Sequence, residues 1–179
     1  MKKKMIILML VFLTGLFAFG IAYYFVRIGI LLTFAITFGT CFYHFAMRLA
    51  VGHGIDAIFH NKMNYERRWF RERKFESKLY NFLRVKKWKK HVPTYNPESY
   101  DLRKHSIEEV IQVTCQAEVV HEINMLLSYV PIILIIWFGS LAAFLITSIV
   151  ACCIDGVFVI LQRYNRPRLM NILRRKKSI

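Results

Sequence analysis

The sequence predicts an all-α integral membrane protein with four transmembrane helices plus a basic amphipathic interfacial helical segment. Two observations carry this. Of 179 residues 56% are hydrophobic, and much of that content is gathered into runs with few or no charges. The formal net charge is nevertheless +15, with the basic residues set between and after the runs. An apolar run of about 20 residues is what a helix needs to cross a hydrocarbon core. The charge alone would suit a nucleic-acid binder, but a soluble one does not carry such runs, so no nucleic acid is expected as partner.

Residues 1–47 read as an N-terminal two-span membrane hairpin. Met5 to Val26 is uncharged and follows Lys2, Lys3 and Lys4. A cleaved signal peptide is the alternative, with Ala18 to Gly20 as a small-x-small site. The apolar length, however, exceeds the roughly 7–15 residues of a signal core. Ile28 to Met47 is the second span, separated from the first by Arg27 alone.

Residues 48–105 read as a cytoplasmic basic and aromatic interfacial segment. Tyr65, Trp69, Phe70, Phe75, Tyr80, Phe82 and Trp88 are interleaved with its charges, the pattern of helices that lie in the bilayer interface and contact membrane lipids. In "RVKKWKKHVP" five cations surround Trp88, and Lys86, Lys87 and Lys89 suit a phosphate group as well as lipid heads. Pro93 to Asp101 reads as a structured turn.

Residues 106–179 read as a helix entering the membrane, a two-span hairpin and a basic cytoplasmic tail. Ser106 and Glu109 form a capping box, and no breaker follows until Pro131. Ile123 to Phe138 and Leu141 to Leu161 are the third and fourth spans, turning at Gly139 and Ser140. Pro167 is expected to turn the chain out of the helix. Fifteen Lys and Arg stand from Arg48 to Glu122 and seven after Leu161, so the positive-inside rule puts both termini and the central segment in the cytoplasm.

Glu118 and His121 share one side of the third helix with Glu122 and, one turn earlier, Thr114. A carboxylate beside an imidazole orients it and raises its basicity for proton abstraction. The bland alternative is a set of solvated interface groups. "HEIN" is not a zinc motif, since Met125 stands where the second histidine belongs, and no metal or other cofactor is expected. The hairpin brings Glu118 and His121 toward "QRYNRPR". Asp155, charged within an apolar span, needs a partner such as Asn124, His121 or an arginine from the neighbouring "QRYNRPR" cluster. The four cysteines have no C-x-x-C spacing and suggest neither disulfides nor zinc.

"QRYNRPRL" at Gln162 to Leu169, E-x-x-H at Glu118 and His121, Tyr100 with Asp101, and Val85, Trp88, Lys89 and Pro93 together resemble the glycosyl-4,4'-diaponeurosporenoate acyltransferase family. These are small membrane proteins of the bacterial cell membrane, assigned to staphyloxanthin-type carotenoid synthesis. The resemblance runs from Trp69 to Leu169; the N-terminal two spans match no pattern of the family. It implies transfer of a long-chain acyl group from an acyl thioester to a hydroxyl of an amphiphilic acceptor, such as a glycosylated carotenoid or glycolipid. On that reading His121 and Glu118 are catalytic. Arg163, Tyr164, Asn165, Arg166, Arg168, Trp88, Lys89, Asp101 and Asp155 are candidate substrate-binding residues. A non-catalytic lipid- or partner-binding module and another lipid-modifying membrane enzyme remain the alternative classes.

Overall fold

The computed structural model describes residues 2–94 and 96–178, and their regular structure is all helical, with no strand among them. Tyr95, inside the expected turn at Pro93 to Asp101, lies outside the described residues. Four helical stretches are long and apolar enough to cross a membrane: Lys2–Val26, Gly29–Phe59, Ile107–Phe138 and Leu141–Lys177. The chain forms two compact units, Met1–Gly52 with Ile123–Asp155 and His53–Glu122 with Gly156–Ile179.

In the first unit α1 (Lys2–Val26) ends where Arg27 takes a left-handed conformation with φ 58°, and Arg27 and Ile28 together make the turn into α2 (Gly29–Phe59). The helices approach closely at Gly15, where a Cβ would lie 2.0 Å from the Phe38 ring. Phe12, Phe19, Phe34, Phe38 and Phe45 fill the rest of the seam with ring centroids 5.1–5.9 Å apart. No α1 residue is buried, which leaves its remaining faces to acyl chains. The second span was expected to stop at Met47; α2 instead continues to Phe59, because Arg48 and Asp56 find partners and no helix breaker intervenes.

The same unit holds the charged residue of the fourth span. Asp155, 1% exposed, receives a 2.6 Å hydrogen bond from Arg48 Nη2, and Asn124 Nδ2 lies 3.5 Å from its other oxygen. Arg48 also donates to the carbonyls of His44 and Ala151. An ionised group at this depth is tolerated only when it is paired, and the pair here also ties α2 to α7 (Leu141–Lys177).

The third span is not one uninterrupted helix. α5 (Ile107–Leu127) ends four residues before the expected breaker Pro131, which has no N–H for the Leu127 carbonyl and whose ring crowds it, and the backbone tightens into a 3-10 turn over Val130–Leu134. A short helix, α6 (Ile135–Phe138), leads to Gly139 and Ser140, both with positive φ, and these form the expected reversal.

In the second unit the capping box at the start of α5 is present in both directions, Ser106 N donating to Glu109 and Glu109 N to Ser106 Oγ. Two apolar clusters hold the unit together. One packs Met63 and Phe70 against Cys115 of α5. The other packs Tyr80 of α3 (Glu76–Phe82) and Val85 of α4 (Val85–Trp88) against Tyr164 of α7. The cysteines Cys41, Cys115, Cys152 and Cys153 are unbridged.

Pro167 does not end the helix: α7 runs through it to Lys177. An interior proline removes one backbone bond and costs about 3 kcal/mol. The bond lost here is the one to the Arg163 carbonyl, and Leu173, on the far side of the proline, is buried and holds the continuation in place.

Candidate active site

α5 and α7 carry the candidate residues, and the segment from Trp69 to Glu76 closes around Glu118 and Arg163. Glu118 has no solvent exposure, and both its oxygens are taken: Arg163 Nη1 donates to Oε1 at 2.5 Å and Arg166 Nη2 donates to Oε2. Arg163 also donates to Glu76 Oε1 from Nε and Nη2, to the Trp69 carbonyl and to the Arg71 carbonyl. Its five N–H groups therefore all have acceptors. Arg166, 2% exposed, donates to Thr114 Oγ1 and to the Thr114 and Phe70 carbonyls, and its guanidinium lies 4.9 Å from the Phe70 ring centre.

Two cations facing two carboxylates make this interior neutral, which is the condition for burying it. Tyr80 extends the arrangement by donating to Glu76 Oε2 at 2.7 Å. Burial, then that hydrogen bond, holds its phenol well above the ordinary range. Gln162 donates to the Tyr100 hydroxyl, whose pKa burial pushes up to about 12. One turn from Glu118, His121 is half-buried and stacks on Phe158 at 4.7 Å with only 11° between the rings. Glu122 accepts a 2.9 Å hydrogen bond from Trp69 Nε1.

The remaining sequence candidates fall into distinct places. Tyr164 is buried, with Tyr80 edge-on at 5.3 Å and the Arg168 guanidinium 3.6 Å from its ring centre. Asn165 accepts from Lys89 Nζ at 3.2 Å. Trp88 donates to the Leu83 carbonyl and packs on the Tyr164 cluster. Asp101 is engaged locally by the Arg103 side chain and backbone; those hydrogen bonds hold its carboxyl below the usual range. Asp155 belongs to the first unit with Arg48 and Asn124.

Glu76 and Trp69 were not anticipated as site residues. The available signal was weak: Glu76 is one of three acids in a strongly basic stretch from Glu66 to Lys90, and buried charge demands an opposite partner.

A profile of the glycosyl-4,4'-diaponeurosporenoate acyltransferase family matches residues 66–175. The chain belongs to this family. No curated protein and no solved structure matches it significantly. As a glycosyl-4,4'-diaponeurosporenoate acyltransferase family member the protein is a membrane acyltransferase of carotenoid-type biosynthesis. The matched stretch contains Glu118, His121, Glu76 and the whole of "QRYNRPRL", and begins after the first two spans. Those spans carry none of the family's match.

Proposed function

We propose that this acyltransferase moves a long-chain acyl group from a thioester to a hydroxyl of a glycosylated, membrane-resident acceptor, at the cytoplasmic face, with both termini in the cytoplasm. In this reading His121 removes the proton of the acceptor hydroxyl as its oxygen attacks the thioester carbonyl. The tetrahedral adduct then collapses with loss of the thiolate, which takes up the proton. His121 is the catalytic residue, and Phe158 fixes the plane of its ring.

Glu118 and Arg163 are positioning residues: their charges are spent on one another and on Glu76 and Arg166, so they fix α5 and α7 together one turn from His121. The observation that carries the reading is that the family-matched stretch holds a half-buried histidine one turn from this neutralised interior. Amphiphilic substrates suit such a location, since their tails stay in the bilayer while their reacting ends meet polar groups.

The test has two parts. Lipid and pigment mass spectrometry of cells with and without the gene is expected to show one glycosylated lipid shifted by a single acyl mass. In a purified assay His121→Ala is expected to lower turnover about 10²–10⁴-fold with folding intact. An unchanged acyl profile, or a fully active His121→Ala, overturns the reading.

A further inference from the structure

Not all three arginines of "QRYNRPRL" are available to a ligand. Arg163 and Arg166 are bound to buried carboxylates, whereas Arg168 is exposed and lines a cavity of about 540 Å³ together with Arg84, Lys86 and Lys87. Glu72 is the one carboxylate in its lining, and Asn81 and Asn171 add amide groups. Among the described residues none of these four cations has a carboxylate within ion-pair distance.

Four positive charges against one negative, held around a concavity of ligand size, favour occupation by a polyanion. Lys89, beside Asn165 and 5.0 Å from the Tyr164 ring centre, adds to the crowd. Burial lowers its affinity for a proton, and Arg168, Lys90 and Lys86 lower it further. The backbone supports the arrangement: Arg84 sits in a left-handed conformation, which turns the chain between α3 and α4.

We propose that this cavity is a phosphoryl-binding site that takes the phosphate-bearing end of the acyl donor, a proposal that rests on the acyl-transfer reading above. With Nη1 held by the Tyr164 carbonyl, Arg168 presents its Nε and Nη2 edge to phosphate oxygens, while Lys86 and Lys87 act as point charges.

The experiment uses the full chain in neutral phosphatidylcholine nanodiscs, with palmitoyl-CoA as the probe. Arg168→Gln and the double variant Lys86→Gln/Lys87→Gln are expected to weaken palmitoyl-CoA binding about tenfold or more, with kcat changed far less than KM. Arg168→Lys is expected to recover part of the loss, and Arg174→Gln, outside the cavity, to leave binding unchanged.

A parallel arm measures binding of spin-labelled phosphatidylglycerol. Selective loss there, with palmitoyl-CoA unaffected, assigns the same phosphoryl site to a lipid headgroup and overturns the donor assignment. Unchanged binding of both probes overturns the site altogether. Direct binding separates this proposal from its parent: variant-sensitive binding without any acyl transfer counts against the reaction, and transfer with an unaltered donor KM counts against the cavity.

Discussion

Arg163 Nη1 stands 2.5 Å from Glu118 Oε1, joining α7 to α5 through two side chains that are almost wholly withdrawn from solvent. Removing one charge from such a pair leaves its partner buried without compensation, and typically costs about 3–5 kcal/mol. Glu118→Gln is therefore expected to lower thermal stability in detergent by a similar amount. The same substitution at Glu109, in the exposed capping box, is expected to cost about 1 kcal/mol or less. Equal stability of the two variants, measured by unfolding midpoint, contradicts the neutral-interior account.

Arg48 and Asp155 form a second buried pair, with side-chain exposures of 14% and 1%. Arg48→Met alone and Asp155→Leu alone are each expected to destabilise the protein by about 3–5 kcal/mol. The double variant is expected to recover most of that loss, since both unpaired charges are gone. A double-mutant cycle on purified protein measures the coupling; strictly additive losses would show that the two groups do not depend on each other.

Gly15→Ala tests the helix seam. The added Cβ meets the Phe38 ring at 2.0 Å, whereas at Gly20 it meets nothing within 4 Å. Overpacking of this kind costs about 1–3 kcal/mol, so Gly15→Ala is expected to loosen the pairing of α1 with α2. Gly20→Ala is expected to be neutral or slightly stabilising. Cross-linking of cysteine pairs across the seam reads the difference.

Asp101 gives a pH dependence with a definite sign. Hydrogen bonds from the Arg103 side chain, and then its backbone, hold the Asp101 carboxyl below the ordinary value of 3.8. A depressed carboxylate contributes stability that is present above its unfolded pKa and lost as pH falls through the folded one. The stability difference between the native chain and Asp101→Asn is expected to be flat from about pH 7 to pH 5 and to vanish at stronger acidity. Melting curves across that range check it.

Much of the fold was legible in the sequence because membrane spans are written in long apolar runs and caps in short fixed spacings. Ser106 with Glu109, and Gly139 with Ser140, did what their local chemistry dictates. The readings that failed concern residues whose outcome is decided by distant partners. Pro167 did not break α7, because the helix beyond it is anchored by the buried Leu173. Pro131, by contrast, acted as expected: α5 ends at Leu127, whose carbonyl the proline can neither bond nor accommodate.

The site divides in the same way. That the hairpin brings Glu118 to the arginine cluster was visible from the order of the two helices. That Glu118 serves Arg163 and Arg166 depends on Glu76, 42 residues earlier by numbering, and no local pattern carries that information. Arg48 was likewise hidden as the partner of Asp155, since an arginine at the end of an apolar run reads equally well as an ordinary boundary charge.

The dependence of Arg163 on Trp69, Arg71 and Glu76 makes "QRYNRPRL" non-portable. Grafted into another membrane helix without residues 69–76, the peptide would bring its cations but not the acceptors that make them buriable. Anyone recombining relatives of this chain must move the two stretches together, and the natural crossover point lies before Trp69 rather than at the start of the last helix.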